Sequence, residues 1–303
     1  MLLGLPEFEM FFPCSVEEAC SLLSKYGEEA QLLAGGTDLF VKMKQRRLVP
    51  RILINIKKIP ALNQIHYDAD EGLRIGALTT IQSIRDSEII GQKFRVLSQA
   101  AGVLGTPQIR NLGTLGGNLA NASPSAEFAP PLLTLEASLR CVGPGGERVV
   151  LMNEFFVGPG KSALRQGELI TEVHVPPSPL HAQAIYLKHS LRTMDVSMAG
   201  AAAFVLLDAD VCREVRIALG AVAPTPIRAG MAEATLSGKR LCGNSGDKEL
   251  LEEVSRIASG ESRPIDDLRG FASYRRKIVA MLVRQGLEQV IARARADREG
   301  QSI

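Results

Sequence analysis

Paired glycines set among short polar residues occur twice in this chain, about eighty residues apart, and they constrain it more than any other feature. The first stretch is Leu33-Ala34-Gly35-Gly36-Thr37-Asp38-Leu39, and the second is GTLGGNLANASP, Gly113 to Pro124. Backbone of this kind turns with positive φ or passes close to another segment. Two readings stay open: simple turns, or nests whose uncovered N–H groups receive phosphate oxygens. Neither stretch is a G-x-G-x-x-G between a strand and a helix, which argues against a Rossmann dinucleotide site. Neither ends in Gly-Lys-Ser/Thr, which excludes a P-loop. The pair together, with the second polar run continuing to Ser125 and Glu127, points to a ligand with a diphosphate and a long body.

The segments around these stretches organise into units. Ser15-Val16-Glu17-Glu18 is a capping box that predicts a first helix. A short strand over Gln31–Ala34 delivers the first glycine turn, a helical turn covers Leu39–Lys44, and RILINI (51–56) is a strand. A second unit starts at Leu73–Leu78, with Thr80 capping a helix through Ile81 and Ile84 and another helix over Val96–Val103. The second glycine stretch is read as a loop. Val142–Glu147 is a hairpin turn, and Glu168–Val175 is a strand ended by Pro176-Pro177. The linker is Pro176–Gln183. Beyond it, Ala199–Leu207 and Glu214–Leu219 read as antiparallel strands, and helices are predicted over Ala229–Leu236, Lys248–Ile257 and Tyr274–Arg295. In the last helix Ile278, Leu282, Leu287 and Ile291 form the apolar face, opposite a row of arginines.

Composition excludes several classes. With 35 basic and 33 acidic residues the net charge is +2, which offers nothing to nucleic acid or an acidic membrane surface. No apolar run approaches the roughly 18 residues of a spanning helix. The start, MLLGLPEFEMFFP, carries Glu7 and Glu9 without a basic region, so a secretory signal is not expected and the expected location is cytoplasmic. Cys14, Cys20, Cys141, Cys212 and Cys242 are scattered without a C-x-x-C, so no metal site is expected. His66, His174, His181 and His189 are isolated and no catalytic motif occurs. No catalytic residue is nominated.

Four blocks carry a resemblance: AGGTDLFVKMKQR (34–46), TPQIRNLGTLGGNLANASPSAE (106–127), GELITEVHVP (167–176) and LKHSLRTMDVSMAGAAA (187–203). In this order they resemble the FAD-binding subunit of the molybdenum hydroxylases, the xanthine dehydrogenase and carbon monoxide dehydrogenase family. The resemblance implies an α+β fold. An FAD-binding domain of the PCMH/vanillyl-alcohol-oxidase type would span 1–177, with subdomains 1–57 and 58–177. A C-terminal antiparallel sheet packed with helices would span 183–296. It implies FAD here, and molybdopterin and 2Fe–2S clusters on a large and a small partner subunit, assembled as a dimer of heterotrimers. Electrons would pass to NAD, a quinone or another acceptor. A stand-alone FAD-dependent reductase of the same flavin-fold superfamily is the alternative.

The resemblance also assigns roles. Leu33, Ala34, Gly35, Gly36, Thr37, Asp38 and Leu39 would supply backbone donors along the pyrophosphate and ribitol. Thr114, Gly116, Gly117 and Asn118 would form the other wall, with Asn121 and Ser123 reaching phosphates or the flavin edge. Glu127 would accept from ribose hydroxyls, and Leu169 and Ile170 would touch a ring. Lys188 would stand at the flavin N1–C2=O edge, with Arg192 and Asp195 paired beside it and Val196 covering the ring.

Overall fold

The computed structural model describes residues 4–299; the first three residues of the N-terminal stretch read above lie outside it. Its first layer is a three-stranded sheet in the order β1-β3-β2, from β1 (Glu9–Phe11), β2 (Ala30–Leu33) and β3 (Ile52–Asn55), all parallel. Helix α1 (Val16–Tyr26) crosses between the first two strands. Its start is fixed by the capping box: Ser15 Oγ accepts the Glu18 N–H at 3.1 Å, and the Glu18 carboxylate accepts the Cys14 N–H at 2.8 Å. Helix α2 (Leu39–Lys44) follows the first glycine turn directly.

The second layer is a five-stranded antiparallel sheet. It holds β4 (Ile65–Asp68), β5 (Gly72–Gly76), β6 (Ser138–Gly143), β7 (Gly146–Leu151) and the later β10 (Leu169–Val175), which sits at its centre between β5 and β6. Short helices cover one face: α3 (Ile81–Asp86), α4 (Glu88–Lys93), α5 (Arg95–Val103), α6 (Pro107–Leu112), α7 (Leu115–Ala120) and α8 (Ala129–Thr134). Leu73, Ile75, Leu97, Phe128, Leu132 and Phe155 fill the space between sheet and helices and are wholly buried. A one-turn helix α9 (Met152–Phe155) and the small ribbon β8 (Phe156–Gly158) and β9 (Lys161–Ser162) lead into β10.

The second glycine stretch departs from the loop expected for it. Thr106 caps α6 with Pro107 at its first position, Gly113 breaks the chain, and Thr114 caps α7, so Gly116 and Gly117 are helical. Glycine is about 1 kcal/mol worse than alanine inside a helix, and packing overrides that cost: a Cβ on Gly116 would lie 2.7 Å from the Ala77 Cβ.

After the linker, β11 (Gln183–His189), β12 (Ala199–Asp208), β13 (Val211–Gly220) and β14 (Ile227–Arg228) form a four-stranded antiparallel sheet in sequence order. Along β12 the side chains alternate. Ala202 and Phe204 join the core beneath α8, whereas Ala201, Ala203 and Val205 face α10 (Gly230–Leu236), α11 (Ser245–Glu261) and α12 (Ala272–Glu299). On α12, Ile278, Leu282, Leu287 and Ile291 are buried in that second core, as their helical spacing predicts. Arg216 lies over the Phe204 ring and donates to the Thr134 carbonyl at 2.6 Å, pinning the sheet to α8.

Candidate functional site

A cavity of about 750 Å³ opens between the first layer, the short helices and β10. That volume lies within the range of small-molecule and cofactor sites. One wall is the turn joining β2 to α2. The N–H groups of Gly35, Gly36, Thr37, Asp38 and Leu39 donate to no acceptor among the described residues. Gly36 holds φ at +77°, a conformation that side chains disfavour. A Cβ on Gly35 would meet the Leu112 carbonyl oxygen at 2.2 Å, so this turn lies directly against the end of α6. Successive unpaired amides around a positive-φ residue are a concentrated partial positive charge suited to an anion.

The facing wall is built differently. The Leu115 N–H donates to the Thr79 carbonyl at 3.0 Å and that of Gly116 to Ala77 at 2.9 Å. Thr114 takes the next two, its hydroxyl accepting from Gly117 at 3.1 Å and its carbonyl from Asn118 at 2.9 Å. The expectation that this stretch offers backbone donors is therefore overturned. Its amides build and cap α7, and its side chains face the cavity. Asn118 Oδ1 is buried without a hydrogen-bond partner. Asn121 Oδ1 accepts from Lys42 Nζ at 2.6 Å, bringing a cation from α2 across the cavity. Ser123 Oγ accepts the Ser125 N–H at 3.2 Å.

Leu169 and Ile170, at the start of β10, are buried and line the apolar part together with Ala77 and Leu78. Met194, Asp195 and Val196 form an exposed rim between β11 and β12. The expected Arg192–Asp195 ion pair is not among the ion pairs of the described residues; the two are joined by the Asp195 N–H and the Arg192 carbonyl at 3.1 Å, a backbone turn.

Of the expected site residues, Ala34 to Leu39, Thr114, Gly116, Gly117, Asn118, Asn121, Ser123, Glu127, Leu169 and Ile170 all line this cavity. Leu33 does not: strand alternation turns its side chain into a small core with Met43 and Leu53. Lys188 does not either. Its ammonium donates to Glu127 Oε1 and to the Val103 carbonyl, both at 2.9 Å, with the Lys188 and Glu127 side chains only 4% and 9% exposed. A buried ammonium needs such acceptors, and they tie it to Glu127 at the cavity wall. Burial pushes the Glu127 carboxyl upward and Lys188 opposes that shift. Burial, then the Glu127 charge, raise the neighbouring Tyr186 phenol well above its usual value.

Lys42 is a cavity residue outside the expected site set. Its signal is helical spacing: one turn beyond Leu39, it returns to the face the glycine turn presents. The ensemble suits a long ligand with an anionic middle, hydroxyls and a flat apolar end. An FAD molecule fits these donors: free amides for its diphosphate, Asn118 Oδ1 and Glu127 as acceptors for its hydroxyl or amide hydrogens, and Leu169 and Ile170 as an apolar surface.

Comparison with known proteins agrees. Residues 6–178 match the FAD binding domain in molybdopterin dehydrogenase, and residues 184–290 match the CO dehydrogenase flavoprotein C-terminal domain. The carbon monoxide dehydrogenase medium chain of Hydrogenophaga pseudoflava is 33% identical over 288 residues, covering 95% of this chain and 98% of that one. The xanthine dehydrogenase FAD-binding subunit of Escherichia coli O157:H7 is 33% identical over 282 residues, covering 92% and 94%. Among solved structures, a chain of the Hydrogenophaga pseudoflava carbon monoxide dehydrogenase lacking the Mo-pyranopterin moiety superposes with a TM-score of 0.92 at 34% identity, covering 96% of this chain and 99% of that one.

Proposed function

Because the chain belongs to the FAD-binding subunits of the molybdenum hydroxylase family, we propose that it is the electron-transfer subunit of such an oxidoreductase. It takes electrons from 2Fe–2S clusters on a small partner and passes them to NAD, a quinone or another acceptor. Hydroxylation takes place on a large molybdopterin subunit, and the assembly is a dimer of heterotrimers in the cytoplasm. The organisation we propose is an FAD-binding domain over 1–177, with subdomains 1–57 and 58–177, and a C-terminal domain over 183–296.

The observation that carries the reading is the row of five free amides from Gly35 to Leu39, facing the unpartnered Asn118 Oδ1 across one cavity. The flavin, when bound, supplies the redox chemistry, accepting electrons singly or in pairs. The protein holds and orients it. The amides of the first turn bind the diphosphate, each charge-assisted bond contributing roughly 1.5–3 kcal/mol. Lys42 adds a cation beside them. Leu169 and Ile170 exclude water from the apolar part, and Met194 and Val196 leave an exposed rim for electron exchange.

The test is purification of the natural complex through a tag on this chain. FAD, a large molybdopterin chain and a small iron–sulfur chain should copurify, and substrate should bleach the flavin. The isolated chain should hydroxylate nothing. Steady turnover of a natural substrate by this chain alone would overturn the proposal in favour of a stand-alone reductase.

A further inference from the structure

Resting on the electron-transfer reading above, we infer that the acceptor is a quinone with an apolar tail, bound on the outer side of the cavity rim by Tyr274, His189 and the apolar turn before α12. Two segments meet there. One is the rim loop between β11 and β12, closed at its base where the Met198 N–H donates to the His189 carbonyl at 2.9 Å. The other is the turn over residues 265–271 that leads into α12. They touch at Gly270, where a Cβ would lie 2.8 Å from Met198 Cε, and at Tyr274, whose hydroxyl lies 3.3 Å from His189 Nε2. On the rim loop Leu191, Met194 and Val196 are exposed, and the last two also line the cavity. On the turn Leu268 is fully exposed and Phe271 is 73% exposed. The turn is held in this shape: Asp267 and Gly270 exchange backbone hydrogen bonds, the Asp267 carboxylate pairs with the buried Arg275, and Asp266 accepts the Ala272 N–H.

Apolar side chains held outward beside a few polar atoms mark a binding surface. Here the polar atoms are the Tyr274 hydroxyl and the His189 ring. That combination fits a quinone, whose ring and tail lie on aliphatic and aromatic side chains while a ring oxygen accepts from the hydroxyl. A nicotinamide dinucleotide would instead lay riboses and a diphosphate on Leu268 and Phe271, whose side chains offer no hydrogen bond. The reduction balances. The quinone takes two electrons from the reduced flavin, which is reoxidised and releases its protons to water, and it takes two protons to become the quinol. Tyr274 delivers one of these and is replenished through His189; the other comes from water at the open edge.

The experiment uses the complex copurified through this chain. An azidoquinone photolabel should attach to the rim loop or to the turn before α12, located by peptide mass mapping, and excess decylubiquinone should suppress it. Label elsewhere, or none because a partner subunit covers both segments, would overturn the inference. The flavin is then reduced with stoichiometric dithionite, and its reoxidation by decylubiquinone, by a tail-less quinone of the same ring and by NAD is followed by flavin absorbance. L268S/F271S should raise the half-saturating concentration of decylubiquinone about tenfold, the effect of roughly two methylene groups no longer buried, and leave the tail-less quinone unchanged. Y274F should slow both quinones about tenfold, the effect of one lost hydrogen bond. Equal losses for both quinones in L268S/F271S, no loss in Y274F, or faster reoxidation by NAD than by decylubiquinone would overturn the inference while leaving the electron-transfer reading intact. A complex that holds no FAD would overturn that reading itself.

Discussion

The two glycine pairs are spelled alike and used in opposite ways. At Gly35-Gly36 the chain turns through positive φ and leaves its amides free; at Gly116-Gly117 it is helical and every amide from Leu115 to Asn118 is already engaged. One pair is there for what its backbone can donate. The other is there for what can lie against it, Ala77 on one side and the cavity on the other. Absence of a side chain is therefore ambiguous in sequence: it grants access to a ligand or to a neighbouring segment. The φ angle and the fate of the N–H tell these apart.

Alanine substitutions can break this distinction. The largest effect should come from Gly35→Ala, whose methyl would meet backbone at 2.2 Å, followed by Gly116→Ala against Ala77 at 2.7 Å. Both should lower the stability of the apoprotein by about 1–3 kcal/mol or more, as overpacking does, measured by urea unfolding without FAD. Gly36→Ala comes next. It strains a positive φ and pushes on the Phe40 ring, and the distorted turn loses at least two diphosphate contacts. At roughly 1.5–3 kcal/mol each, FAD affinity should fall by at least about a hundredfold by fluorescence titration.

Asn118→Ala sharpens the contrast from the other wall. Its Oδ1 is buried and unpartnered in the apoprotein, so removal should leave apo stability unchanged or higher. FAD affinity should drop about tenfold, the worth of one bond at roughly 1–1.5 kcal/mol. Gly117→Ala should cost less, because its methyl disturbs only the Thr114 hydroxyl, a cap worth about 1 kcal/mol. If Gly117→Ala abolished binding as fully as Gly36→Ala, the two walls would not differ in kind. Smallest should be Lys42→Ala. A partly solvated cation contributes up to about 1 kcal/mol, so affinity should fall a few-fold, and less at high salt.

Much of this architecture is legible in the residues. Ser15 and Glu18 mark the first helix, Thr80 marks α3, the uninterrupted apolar run Ala199–Leu207 marks β12, and the spacing of Ile278, Leu282, Leu287 and Ile291 marks α12. Helices α6 and α7 are harder. Thr106-Pro107 and Thr114 are proper start signals, but Gly116-Gly117 speaks against a helix on propensity, and the packing on Ala77 that outweighs it lies about forty residues away. The cavity-lining residues of the two glycine stretches stand out in the sequence through the paired glycines, but the pairs do not say that one stretch turns and the other is helical. The place of Lys188 is not legible, because where an ammonium ends up depends on acceptors from α5 and from the loop before α8, which no local pattern reveals.

Strand β12 has its two faces in two different cores, with Ala202 and Phe204 beneath α8 and Ala201, Ala203 and Val205 beneath α12. It is a party wall. Two units that share one cannot be moved apart without leaving an apolar sheet face wet, however clean the proline-rich break before it looks. Modularity in this chain is a property of the sequence alone; mechanically, the half that holds the cavity and the half that follows it stand or fall together.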